Sequence, residues 1–151
     1  MRFTLFILSL TLNLLFGGTS FAQTATPSAN PQDAVEAMVT AVAARDANAI
    51  AALYTEDALL LGVNAGVVSG REAIRNVWTN NFSSGYSALE IGRPRTERGA
   101  DRALVVFVWQ ATIRPSDASE TFIQGRTMLY FVLGEGGWLI SADMWQPAPI
   151  R

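Results

Sequence analysis

Residues 121–145 read TFIQGRTMLYFVLGEGGWLISADMW. Two runs rich in β-branched and aromatic residues flank Gly134-Glu135-Gly136-Gly137, so the stretch predicts a long antiparallel hairpin. Side chains alternate between the two faces of a strand. Pairing Leu133 with Trp138 and counting outward sets Arg126 opposite Trp145 and Met128 opposite Asp143. One face then carries Phe122, Gln124, Arg126, Met128, Tyr130, Ser141, Asp143 and Trp145. The other carries Ile123, Gly125, Thr127, Leu129, Phe131, Trp138, Ile140, Ala142 and Met144. An Arg and an Asp in mid-strand among aromatics mark the mixed face as a cavity lining or a wetted exterior.

Outward from the hairpin, the chain of 151 residues is long enough for one domain with a proper core. Arg2 precedes an apolar run from Phe3 to Phe16, and Ser20-Phe21-Ala22 supplies small residues at the positions a signal peptidase reads, which predicts a signal peptide over 1–22. The run falls short of the roughly 20 apolar residues a membrane span needs. Residues 23–29, QTATPSA, have no periodicity and read as a disordered leader. The domain proper is expected over 30–147, with a tail at 148–151. The mature protein is expected to be exported, periplasmic or secreted, and free of the membrane.

Without Arg2, 10 Arg remain against 13 acidic residues, a formal charge of −3. No basic stripe of the kind that binds nucleic acid is present. The sequence holds no His, Cys or Lys. That excludes His- or Cys-based nucleophile systems, a zinc site built on those residues and a Schiff-base lysine. Proton transfer by the chain itself would fall to Asp, Glu or Tyr. No phosphate-cradling glycine loop and no cofactor or metal motif is evident.

Upstream, Asn30 as N-cap, Pro31 at the first helical position and Asp33 in the first turn open a helix whose Val35, Met38, Val39 and Val42 form one apolar stripe ending near Arg45. Asp46 caps a second helix, Ala47 to Tyr54, and Thr55-Glu56-Asp57 turns the chain. A short hairpin follows, turning at Asn64-Ala65-Gly66. Ser69 with Glu72 reads as a capping box for a third helix with Ile74, Val77, Trp78 and Phe82 on its buried side. Four β-runs then follow, Tyr86 to Arg95, Arg102 to Arg114, Thr121 to Leu133 and Trp138 to Trp145, as an antiparallel meander. Helices before strands make an α+β fold in which three helices cover one face of the sheet.

The run AARDANAIAALYTEDALLL, the segment SGREAIRNVW and the closing GGWLISADMWQPAP together resemble the nuclear transport factor 2-like superfamily, in its SnoaL-like and ketosteroid-isomerase-like branch. The resemblance runs from about Asn30 to Pro147. It implies a cone formed by three helices packed on a strongly curved antiparallel sheet, with an internal pocket for a small apolar ligand and, often, a homodimer through the outer side of the sheet. The pocket positions it implies are Ser141, Asp143 and Trp145 on the last strand, Met128 and Tyr130 on the strand before, and Met38, Tyr54 and Trp78 on the helices. It therefore makes the mixed face the cavity wall. The isomerase's catalytic positions fall near Gly62, on Met38 and on Met128, so its functional groups are missing.

Among the remaining candidates, Arg126 and Asp143 share the mixed face within reach of each other. Phe82 extends an aromatic lining, and Gln110 meets Gln124 if Arg114 lies opposite Glu120. Val105, Phe107, Trp109 and Ile113 go with the greasy face, expected to be the dimer surface. The expected function is binding of a small, largely apolar molecule. The alternative is an isomerase, lyase or hydrolase that uses Asp143, oriented by Arg126, with Tyr54 as a donor.

Overall fold

The computed structural model describes residues 24–63, 66–117 and 119–148. The expected signal peptide, Gln23, the Asn64-Ala65 turn and the last three residues lie outside them. Three helices, α1 (Pro31–Ala43), α2 (Ala47–Ala51) and α3 (Arg71–Ser83), pack on a curved seven-stranded sheet. Its strands are β1 (Tyr54–Leu61), β2 (Val68–Ser69), β3 (Tyr86–Ile91), β4 (Arg95–Arg98), β5 (Arg102–Ile113), β6 (Thr121–Gly134) and β7 (Gly137–Pro147). The order is β2-β1-β7-β6-β5-β3, with β4 paired to β5 beside β3. Every pairing is antiparallel except β1 with β7. No helix among the described residues is long and apolar enough to cross a membrane.

Local chemistry explains the helix ends. At α1 the Asp33 carboxylate accepts from both the backbone N–H and the side-chain amide of Asn30, each at 3.1 Å, so the expected start is present. At α2 the Asp46 carboxylate accepts from the Ala49 N–H at 2.9 Å. Tyr54 is not in that helix; it opens β1, and Thr55-Glu56-Asp57 continues the strand through an irregularity instead of turning. The expected capping box at α3 does not form. Gly70 is the N-cap, and Glu72 pairs with Arg75 at 2.7 Å. The run Tyr86 to Arg95 breaks into β3 and β4 around Gly92-Arg93-Pro94, since proline cannot donate to a ladder. Residues 24–29, expected to be disordered, form a strap instead. The Ser28 N–H donates to the Trp138 carbonyl at 3.0 Å and the Trp138 N–H to the Ser28 carbonyl at 2.8 Å, which satisfies backbone groups at the start of β7.

The end of α1 carries an unusual tie. Arg45 adopts φ 55, the left-handed position after a helix normally given to glycine. Its N–H donates to the Val42 carbonyl and that of Asp46 to the Ala41 carbonyl, both at 2.9 Å. The Arg45 guanidinium donates to the carbonyls of Phe82 and of Tyr86 and lies 5.5 Å from the centre of the Phe82 ring. It thus clamps the end of α1 to the junction of α3 and β3. Arg45→Ala keeps the backbone conformation and loses the clamp, for an expected cost of about 1–2 kcal/mol in urea unfolding.

The hairpin departs from the expected register at one residue. Leu133 pairs with Trp138, Val132 with Leu139 and Phe131 with Ile140, as counted from the turn. Tyr130 then pairs with Ala142, so Ser141 is an extra residue on β7, a β-bulge. Beyond it Leu129 faces Asp143, Thr127 faces Trp145 and Arg126 faces Gln146. A one-residue slip reverses which face each side chain takes. Trp138 and Ile140 point inward before the bulge, and Asp143 and Trp145 point inward after it.

On β6 the inward residues are Gly125, Thr127, Leu129 and Phe131, all buried. The greasy face is the inner wall, and the mixed face of β6 is the exterior. Val105 and Phe107 are likewise core, so they are not a dimer surface. Trp138, Tyr54, Phe131, Ile50 and Ile74 are the largest fully buried side chains, where the inner face meets the helices. Each contributes roughly 1.5–3 kcal/mol by leaving water.

Candidate functional site

Between α1, α3 and the inner face of the sheet lies a cavity of about 270 Å³. Its walls are mainly apolar: Met38 from α1, Trp78 from α3, Tyr86 from β3, Trp109 from β5, and Asp143 and Trp145 from β7. Asn81, Ser84, Ile113 and Ile123 also line it. The aromatic rings meet edge to face, Trp78 with Tyr86 at 5.5 Å and Trp109 with Trp145 at 6.1 Å between ring centres, an arrangement aromatic pairs favour.

Trp109 lines the cavity because its cross-strand partner is Gly125. A β-carbon on Gly125 would lie 2.2 Å from the Trp109 ring, so the indole lies directly over that glycine. The Trp109 Nε1–H donates to the Thr127 hydroxyl at 3.0 Å and fixes the ring there. Trp145 covers Gly62 in the same manner, 3.3 Å from where a β-carbon would stand. The position matched to the isomerase's base is thereby occupied by an indole.

Asp143 is the one acidic side chain among the lining residues, and it is 6% exposed. The Tyr54 hydroxyl, fully buried at the start of β1, donates to Asp143 Oδ2 at 2.8 Å. Asp143 Oδ1 is buried with no hydrogen-bond partner among the described residues. Burial pushes the Asp143 pKa up to about 6, and the Tyr54 donation partly offsets that rise. Tyr54 itself is raised well above the ordinary tyrosine value, first by burial and then by the charge of Asp143 and their hydrogen bond, while the Trp78 side chain pulls the other way. Arg71 steadies the start of β1 by donating its Nε–H to the Tyr54 carbonyl at 2.9 Å. At neutral pH the wall thus presents a carboxylate held by one donor, with an oxygen able to accept another.

Of the residues expected at the site, Met38, Trp78, Asp143 and Trp145 line the cavity, and Tyr54 reaches it through Asp143. Phe82 is buried behind Trp78, with ring centres 5.8 Å apart. Ser141 is half-buried at the bulge. The others are elsewhere. Arg126 is on the exterior, where it donates to Gln146 Oε1 at 3.1 Å, so it does not orient Asp143. Met128 and Tyr130 face outward, 45% and 41% exposed. Gln110 and Gln124 pair at 3.1 Å in the expected register, but with Arg126 and Glu90 they line a separate outer groove. All five miss the cavity because the inner face of β5 and β6 is the apolar one. Trp109, Tyr86 and Thr127 were not expected in the lining. For Trp109 the signal was present in a bare glycine opposite a tryptophan.

No curated protein sequence matches the chain. Solved structures match it over most of its length at identities that speak for the fold alone. A ketosteroid isomerase-like protein from Erwinia carotovora atroseptica superposes with a TM-score of 0.68 at 22% identity, covering 79% of this chain and 94% of that one. A nuclear transport factor 2-like superfamily protein from Salmonella enterica serovar Typhimurium gives 0.70 at 14% identity, covering 79% and 89%. An NTF2-like protein of unknown function from Pseudomonas putida gives 0.66 at 20% identity, covering 80% and 84%. The family model of the SnoaL-like domain matches residues 35–140. With that match running from α1 into β7, the chain belongs to the SnoaL-like domain family, and it shares the fold of the nuclear transport factor 2-like structures.

Proposed function

We propose that the protein is exported and binds a small, largely apolar molecule in the cavity between α1, α3 and the inner face of the sheet. A hydrogen-bond donor on that molecule meets Asp143. The observation that carries this reading is Asp143 Oδ1, a buried carboxylate oxygen without a partner in the wall of an otherwise aromatic cavity. Leaving such a group unpaired is costly, so a ligand that supplies the donor removes that cost. Tryptophan fluorescence, titrated with a panel of one- and two-ring compounds, is expected to show saturable quenching. Trp145→Ala should weaken it by about tenfold or more, as the loss of a central aromatic contact does. An unchanged affinity in that variant would overturn the pocket assignment.

The same carboxyl favours a second reading, an isomerase, lyase or hydrolase in which Asp143 moves a proton. A pKa near 6 suits a group that both takes and gives protons close to neutrality. The positioning residue is Tyr54, not Arg126. Tyr54→Phe removes the one donor Asp143 has among the described residues, so its pKa should rise further and the acid limb of any pH–rate profile should move to higher pH. The variant should also lose about 1–3 kcal/mol of stability at neutral pH, where a buried carboxylate is left unpaired. A pH profile that stays in place would remove Tyr54 from this role.

We further propose a homodimer, formed by the outer face of the sheet. Val106, Val108, Phe122, Met128, Tyr130 and Met144 stand there between 37% and 60% exposed, and an apolar patch of this kind suits a self-complementary contact. A monomer by sedimentation at micromolar concentration would overturn this assembly.

A further inference from the structure

The proposed function leaves open what kind of donor meets Asp143, and the electrostatics of the cavity discriminate between kinds. Among the described residues no arginine lines it, and the sequence contains no lysine or histidine. Arg71 is turned to the Tyr54 carbonyl, and Arg126 is on the exterior. Among the described residues the charge of Asp143 is therefore met by a single phenol. An anionic ligand would enter a low-dielectric cavity facing a like charge with nothing to compensate it. Five aromatic rings among the described residues surround the same space, Trp78, Tyr86, Phe107, Trp109 and Trp145. The two edge-to-face pairs are steeply tilted, at 83° and 67°, so the rings present their negative faces in more than one direction. A carboxylate oxygen lacking a donor, set among aromatic rings, is complementary to a positive charge on nitrogen.

Size limits the rest of the molecule. At an interior-like packing density of about 0.75, a cavity of 270 Å³ takes roughly 200 Å³ of ligand, on the order of a dozen non-hydrogen atoms. That is one ring or two, not four.

We propose that the cavity selects an organic ammonium ion, a protonated or quaternary amine on a small apolar body, with its nitrogen against Asp143 and its body among Trp78, Trp109 and Trp145. This rests on the pocket reading above and adds the charge of the ligand. Other titratable groups facing the cavity do not confuse a pH test. Tyr54 and Tyr86, from β1 and β3, are both raised above the ordinary tyrosine value, chiefly by burial, and stay protonated through the neutral range. α1, α3, β5 and β6 contribute no charged side chain to the lining.

The test compares three probes of one shape by calorimetric titration: 2-phenylethylammonium, 2-phenylethanol and phenylacetate. At pH 7.5 the ammonium is expected to bind at least about tenfold more tightly than the alcohol, as cation–π and charge-assisted contacts in a desolvated site allow, with no binding of the acid. Asp143→Asn should erase the preference. A second arm uses the unaltered protein: between pH 7.5 and pH 5 the ammonium should lose roughly tenfold in affinity as Asp143 takes up a proton, while the alcohol stays level. If the alcohol binds as well as the ammonium, charge selection is wrong and the pocket reading stands. If none of the three binds, both fall.

Discussion

Asp143→Asn should make the protein more stable above pH 6 while removing whatever the site does. Asp143 has a folded-state pKa of about 6, against roughly 3.9 in an unfolded chain. Between these values the folded state holds the extra proton, so stability falls as pH rises from about 4 through 6 and levels off above. A rise of about two units corresponds to roughly 3 kcal/mol lost once the carboxyl is ionised. Asparagine cannot ionise, yet its amide N–H groups bring a desolvation cost of their own, about 1–2 kcal/mol. The expected net change is therefore a gain of about 1–2 kcal/mol in urea unfolding at pH 8, crossing to a loss of about 1 kcal/mol at pH 4. Preference for a donor-bearing ligand, and any turnover, should vanish in the same variant. Equal stability of the two proteins at every pH would show that Asp143 is better solvated than its burial implies.

Gly125→Ala should act on the opposite wall and cost more. Its β-carbon would come within 2.2 Å of the Trp109 ring. The indole cannot simply slide away, because its Nε1–H is bonded to Thr127 and its edge packs against Trp145. Overpacking of this kind costs about 1–3 kcal/mol, and the lost indole hydrogen bond adds about 1 kcal/mol. We expect a total of about 2–4 kcal/mol by denaturant unfolding, with a shift in tryptophan emission as Trp109 leaves the cavity. Introduced into a Trp109→Ala background, the same Gly125→Ala change should cost little, since the clash then has no second partner. If it costs as much there as in the unaltered protein, the ring over the glycine is not what the glycine is for.

Much of the architecture follows from patterns that a single sequence displays. The Asn30-Pro31-Asp33 start, the apolar stripe of α1 and the glycine turn of the hairpin act over a few residues each, and each forms as read. So does the Gln110–Gln124 register, which short-range pairing from Arg114 and Glu120 sets. The faces of the hairpin were not legible, because they hang on Ser141. A bulge at a serine carries no glycine or proline to announce it, and it reverses every side chain of β7 beyond it. A count that omits the bulge puts Arg126 beside Asp143, and a helical reading that runs on through Tyr54 hides that this residue opens β1. The true partner of Asp143 lies on a strand that pairs with β7 in parallel, a contact no local pattern encodes.

That parallel pairing also governs when the site can exist. Tyr54 and Asp143 are 89 positions apart, and β1 meets β7 only after every intervening strand has been synthesised. Closing so long a loop carries an entropic penalty that nearby contacts avoid. The helices and the β5–β6–β7 meander can form from neighbours in the chain, whereas the edge of β1 that β7 covers stays bare until the last strand arrives. The phenol–carboxylate pair is thus a late product of folding. A nascent chain carries that open edge until β7 is made, which leaves the span of β1, more than the cavity it completes, exposed to chaperones and to mispairing.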